Sequence, residues 1–337
     1  MANLKTTYMG LELKNPIILG ACNLTFDLDT ARNLEKAGIA AVVFKSLFEE
    51  QINLESIQME EDLHEYDERN AEMVNLFPSL RHAGPAEHLE KLSQLKKALS
   101  IPVIGSLNCV NESTWVEYAV EMEKTGVDAI ELNFYTAPGN FESNGQKEED
   151  DQVKILEAVK AKVKIPVSVK LSPFYTNPLQ LIKRMDKAGA NGFVLFNRLY
   201  QPEINVEKQE MSFPFNLSQV GDYRLPLRYA GLLHKKVNGS VCSNSGIFTG
   251  QDVVRMLLAG ADAVQVVSTV YKNKAVHVTQ MLSDLNAWMK DKGHDSLDAF
   301  RGKLSKENLA DPYAYQRAQY VDLLMKPFDI MKKYPQV

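Results

Sequence analysis

Apolar residues recur along this chain in two alternating rhythms. Short β-branched runs fall near 16–21, 41–46, 102–107, 129–134, 166–171, 192–197, 239–243 and 262–267. Continuous apolar runs of this length, bounded by turn residues, read as strands buried on both faces. Between them lie stretches with apolar positions at helical spacing: 27–37, 86–99, 113–124, 152–163, 178–188, 225–237, 251–258 and 276–289. Gly38, Gly126, Gly189, Gly239 and Gly260 supply stop signals. Such alternation means parallel strands joined by helical crossovers. Eight units in a chain of 337 residues predict a closed α/β barrel, (β/α)8, as a single domain over 1–337. An open doubly wound sheet is the competing arrangement. Residues 4–14 read as a small hairpin capping the far end of the barrel, and 296–337 as a charged, partly helical tail packed outside.

Three connections are long: 48–84 after strand 2, 135–151 after strand 4 and 198–223 after strand 6. All follow strand C-termini, the face on which barrel enzymes build their sites, so each is a candidate lid. Surface decoration is the plainer alternative for most of their length.

Charge and composition exclude several classes. The formal net charge is −5, and no Lys/Arg stripe with interleaved aromatics exists, which argues against nucleic-acid binding. No apolar run is long enough to cross a bilayer, and the first residues lack the apolar core of a signal peptide, so a cytoplasmic location is expected. Cys22, Cys109 and Cys242 form no CxxC and argue against a disulfide framework, an iron–sulfur cluster or a cysteine zinc site. His64, His82, His88, His234, His277 and His294 are scattered and make no case for a metal.

The candidate chemistry collects at strand ends. Lys45, Asn108, Asn133, Lys170 and Asn197 each close an apolar run, and Ser245-Gly246 and Ser268-Thr269 close the last two. Two successive small, polar turns present backbone N–H groups to a phosphate, and the loops after strands 7 and 8 of such a barrel are where phosphates dock. A helix expected just after Gly246 adds the positive end of its dipole. A lysine at the end of an apolar strand is costly to bury without a partner. Two lysines and three amides around a phosphate site fit flavin mononucleotide (FMN). A cation beside flavin N1/C2=O favours the reduced, anionic form. Lys170 or Lys45 can supply it; the sequence does not decide which. A Schiff-base lysine of an aldolase-type lyase is the competing reading, and it leaves the amides idle.

These residues resemble the dihydroorotate dehydrogenase family, closest to its class 1 enzymes. The resemblance covers most of the chain. It rests on Met9-Gly10-Leu11-Glu12-Leu13-Lys14-Asn15-Pro16, Val43-Phe44-Lys45-Ser46, Glu131-Leu132-Asn133, Val169-Lys170-Leu171-Ser172-Pro173, Ser245-Gly246-Ile247 with Thr249-Gly250-Gln251-Asp252, and the tail 296–304. Each motif alone is modestly specific; their order and spacing are strong. The resemblance implies an FMN-binding TIM barrel of the cytosol that oxidises dihydroorotate to orotate in pyrimidine biosynthesis, with hydride transfer to flavin N5. It implies Ala21, Lys45, Ser46, Asn108, Asn133, Lys170, Ser245, Gly246, Ser268 and Thr269 as cofactor residues, and Asn75, Asn133 and Asn197 as substrate contacts. It also implies a homodimer and fumarate or another small oxidant as electron acceptor. No GxGxxG follows a strand, so NAD would need a partner subunit.

The departures bear on the chemistry. The family places a Cys or Ser base in its active-site loop, where this chain has Thr136 within Asn133-Phe134-Tyr135-Thr136-Ala137-Pro138. A threonine hydroxyl is a poor base unless a neighbour accepts its proton. Thr136 is therefore the candidate catalytic residue, with Lys45 beside it, and Tyr135 is a substitute. Another small carbonyl or dihydropyrimidine substrate, or a noncatalytic flavoprotein, follows if that base is missing. The substrate loop of the family corresponds loosely to 71–78, where Asn75 stands in for an amide contact.

Overall fold

The computed structural model describes residues 2–52, 85–135, 141–198, 201–214, 217–326 and 332–333. An antiparallel hairpin comes first, β1 (Thr6–Tyr8) and β2 (Leu11–Leu13). Then follow β3 (Ile17–Leu19), β4 (Ala41–Val43), the short β5 (Leu47–Phe48), β6 (Val103–Asn108), β7 (Ala129–Asn133), β8 (Val167–Leu171) and β9 (Gly192–Leu195). A second antiparallel pair, β10 (Glu203–Asn205) and β11 (Glu210–Ser212), precedes β12 (Ser240–Asn244) and β13 (Ala263–Val266). Strands β3, β4, β6, β7, β8, β9, β12 and β13 pair in parallel in that order, and β13 pairs back to β3. The result is a closed (β/α)8 barrel; β5 extends the rim by pairing Leu47 opposite Leu107.

Alternation along each strand explains the closure. Ile17, Leu19, Val42, Val103, Ile130, Leu132, Val169, Phe193 and Val264 pack outward against the helices. Ile18, Ala41, Val43, Ile104, Ala129, Val194, Cys242 and Ala263 fill the interior, joined from below by Tyr8, Met9 and Leu13 of the hairpin. That plug requires Gly192, because a Cβ there would lie 2.8 Å from Met9 Cγ. Two residues further along the same inward rows the side chains turn polar: Ser106, Glu131, Ser168 and Gln265, all buried. Asn108, Asn133, Lys170 and Asn244 follow at the strand C-termini. The interior is thus apolar at its base and hydrogen-bonding at its top.

Helices Leu28–Ala37, Pro85–Ala98, Glu112–Lys124, Gly145–Lys160, Pro178–Lys187, Arg224–Leu233, Gly250–Ala259 and Val276–Asp291 surround the barrel. Four expectations need correction. The helix expected over 152–163 begins earlier, at Gly145, because Asn144 caps it by accepting from the Gln146 and Lys147 amides, so the connection after strand 4 is shorter than 135–151. No helix starts just after Gly246. Thr249 and Asp252 form a capping box that starts it at Gly250. A short helix, Ser268–Asn273, follows β13 directly where only a turn was expected. The stretch 198–223 is not all loop, since it carries β10 and β11. Most of 48–84 lies outside the described residues. Among those described, no helix is long and apolar enough to cross a membrane.

Candidate active site

A cavity of about 360 Å³ opens at the C-terminal ends of the barrel strands. Of the residues singled out from the sequence, Ala21, Lys45, Ser46, Asn133, Lys170, Asn197, Ser245, Gly246 and Ser268 line it. The topology brings them together because each follows or ends a barrel strand. Asn108 and Thr269 stand one layer back. Asn108 donates to the Asn133 carbonyl at 2.8 Å and so supports that residue from behind. The Thr269 hydroxyl donates to the Phe248 carbonyl, away from the cavity. Thr136 and Asn75 lie outside the described residues.

The amides form a chain. Asn197 Nδ2 donates to Asn133 Oδ1 at 2.5 Å, and Asn133 Nδ2 points to Ser46 Oγ at 3.5 Å. Ser46 in turn shares a hydrogen bond of 2.7 Å with Ser106. These contacts leave each carboxamide with a further N–H for a ligand.

Lysines set the field. Among the described residues, no carboxylate lines the cavity, whereas Lys45, Lys170 and Arg198 do. Lys170 is 7% exposed, and its ammonium lies 3.9 Å from Oε1 of Glu131, which is 1% exposed. Glu131 Oε2 accepts from Gln265 Nε2 at 2.6 Å. Neither Glu131 Oε1 nor Gln265 Oε1 has a hydrogen-bond partner. Lys45 Nζ sits 5.2 Å above the Phe26 ring, and burial lowers its pKa from the ordinary lysine value. Cys22 also lines the cavity, but burial pushes its thiol up to about 11, so little thiolate exists at neutral pH. Cys109 packs in the outer core, its pKa raised by burial and by Glu49. Neither thiol is poised to act as a base at neutral pH.

At the far end the chain turns sharply. Ser245 and Gly246 both have left-handed backbones, with φ of 78° and 70°. A Cβ on Gly246 would lie 2.4 Å from the Tyr223 nitrogen, so only glycine fits. Among the described residues, the amides of Gly246, Ile247, Ser268 and Thr269 meet no acceptor. The Ser268 hydroxyl accepts from the Ser218 amide (2.9 Å) and lies 2.8 Å from its hydroxyl, which ties the 217–222 loop over this turn. Unspent donors on two adjacent turns, beside two lysines, match a phosphate-bearing group with a planar polar head.

Reading strand ends alone misses Gln265, Glu131, Asn244, Ser218 and Arg198. Asn244 donates to the Phe196 carbonyl at 3.1 Å and lines the wall. Its inward phase two residues after Cys242 was the available signal.

A closed barrel with a lysine- and amide-lined cavity at its strand C-termini has the architecture of a barrel enzyme. The chain matches the family described as dihydroorotate dehydrogenase over residues 3–289, and it belongs to that family. Curated relatives agree. The chain is 28% identical to a Thermoplasma volcanium protein named "Dihydroorotate dehydrogenase B (NAD(+)), catalytic subunit", over 90% of this chain and 98% of the relative. A Methanocaldococcus jannaschii protein of the same name is 28% identical over 80% of this chain and 87% of the relative. A Limosilactobacillus reuteri protein named "Dihydroorotate dehydrogenase A (fumarate)" is 28% identical over 76% of this chain and 84% of the relative.

Proposed function

We propose that the cavity holds FMN noncovalently and that the chain is a flavin-dependent oxidoreductase acting on a CH–CH bond, with dihydroorotate to orotate as the leading reaction. The observation that carries this reading is the pairing of unspent backbone donors at 246–247 and 268–269 with two cavity lysines. A phosphate satisfies the first, and a planar imide-bearing ring that accumulates negative charge satisfies the second. Bound FMN would supply a two-electron acceptor.

The chain's own residues do the rest. Ser245, Gly246 and Ser268 anchor the phosphate end, and Ala21 and Ser46 close on the ring. Lys170 holds a positive charge beneath the head, oriented by Glu131. Lys45 adds a second cation at the rim. Asn133 and Asn197, fixed by their mutual hydrogen bond, orient the substrate's polar edge. Asn108 positions Asn133. Thr136 is the proton acceptor by sequence position, and a hydroxyl in that role makes proton removal slow at neutral pH. A dihydropyrimidine or another small carbonyl compound as substrate is the second reading, favoured by the presence of Thr136 where the family has Cys or Ser. A cytosolic location, a homodimer, and fumarate or another small oxidant as electron acceptor complete the proposal.

Stopped-flow mixing of the flavin-loaded chain with dihydroorotate tests it. Bleaching of the flavin, faster in a Thr136→Cys variant, is the expected result. A flavin that stays oxidised in both proteins at every pH refutes dihydroorotate as substrate.

A further inference from the structure

Arg198 has no assigned part in the flavin reading, yet it lines the same cavity. It follows Asn197 directly, and its backbone N–H donates to Asn197 Oδ1 at 2.9 Å. On the guanidinium, only Nη1 is engaged, donating to Asp222 Oδ2 at 2.9 Å. Nε is buried and has no hydrogen-bond partner, and Nη2 meets no acceptor among the described residues. Asp222 is itself held, accepting from the Gln219 amide at 2.8 Å, and it abuts Gly246. Its grip on Nη1 therefore leaves Nη2 as the available donor.

We infer that Arg198 is an oxyanion-binding residue of this cavity: its Nη2, the terminal nitrogen that Asp222 leaves unspent, donates to an oxygen of a carboxylate or phosphate on the bound ligand. A guanidinium N–H with its permanent charge makes a strong charge-assisted hydrogen bond to a carboxylate or phosphate oxygen. Asp222 holds the guanidinium in place at Nη1, so a charged donor of fixed position is left over on the cavity wall. Arg198 lies between the Asn133–Asn197 amide pair and the Gly246 turn, so the oxyanion belongs either to an acidic substrate or to the cofactor's phosphate. The choice of probes rests on the proposed flavin reading.

The test uses the full chain as wild type, Arg198→Ala and Arg198→Lys, titrated calorimetrically with two matched pairs of probes. Orotate and uracil differ by a carboxylate; FMN and riboflavin differ by a phosphate. The expected result is a loss of about tenfold or more in Arg198→Ala, confined to the anionic member of one pair. Arg198→Lys recovers only part of it, because an ammonium supplies charge but cannot bond Asp222 and the oxyanion from two fixed nitrogens. Loss confined to orotate names the carboxylate, and loss confined to FMN names the phosphate. Equal changes for anionic and neutral members of both pairs overturn the assignment, as does a wild type that prefers neither anion. If Arg198→Ala does not fold, the same differential in Arg198→Lys decides. A wild type that binds neither FMN nor riboflavin refutes the flavin proposal, while the orotate–uracil contrast still judges Arg198.

Discussion

Glu131→Gln removes one charge from beneath the cavity without changing shape. In the native chain the Glu131 carboxylate lies 3.9 Å from the Lys170 ammonium, and both are almost wholly buried. At an effective dielectric of about 20, Coulomb's law assigns this separation about 4 kcal/mol. Breaking a buried pair from one side costs about 3–5 kcal/mol in general, because the remaining charge is left desolvated. The two figures agree, so flavin-free Glu131→Gln should unfold in urea at pH 7 with about 3 kcal/mol less stability than wild type, at unchanged m-value. Gln265 sharpens the expectation, since its Nε2 donates to the same carboxylate and would face a neutral amide instead. The functional consequence runs the other way. With Glu131 neutral, Lys170 would have only the ligand to balance it, so the proposed flavin should be favoured in its anionic reduced form and its midpoint potential should rise by on the order of tens of millivolts. A stability change below about 1 kcal/mol together with an unmoved potential would refute the idea that Glu131 and Lys170 form a working pair.

Gly246→Ala should abolish flavin retention with a fold that survives: the new Cβ meets the Tyr223 nitrogen at 2.4 Å and a left-handed φ of 70°, forcing the anchoring turn open. Retained yellow colour after gel filtration would count against the turn as the anchor. His88, packed on Phe26 and Phe44, is buried and its pKa falls from 6.5 to about 4. A group depressed in the folded state contributes stability that is complete above about pH 6.5 and lost as pH falls toward 4. The full loss is about 3 kcal/mol. His88→Phe should lack that component, so its stability relative to wild type rises as the solution is acidified from pH 6.5 to 4. Parallel pH–stability curves for the two proteins would show that His88 carries no such penalty.

The barrel was legible because its strands are buried on both faces and its helices are amphipathic; each of the eight strand-like runs overlaps a barrel strand. The ring of polar strand ends was legible for the same reason, since Lys45, Asn133, Lys170 and Asn197 each close an apolar run at the same end of its strand. Side-chain direction was not. Thr269 looked like a phosphate ligand, but its hydroxyl turns to Phe248, and only its amide remains free. The Thr249-Gly250-Gln251-Asp252 stretch is a capping box that sequence alone signals, and it places the helix start after the turn rather than at Gly246. Glu131 and Gln265 sit 134 residues apart, so their buried hydrogen bond exists only once β7 and β13 face each other across the barrel. Arg198 reads as an ordinary charge after a strand until Asp222 is seen to hold one end of it.

The most direct measurement is the visible absorbance of the purified chain, followed by stripping and titration with FMN. The account predicts a resolved oxidised-flavin spectrum and saturable rebinding of one FMN per chain. A colourless protein whose spectrum and intrinsic fluorescence do not respond to added FMN would contradict it.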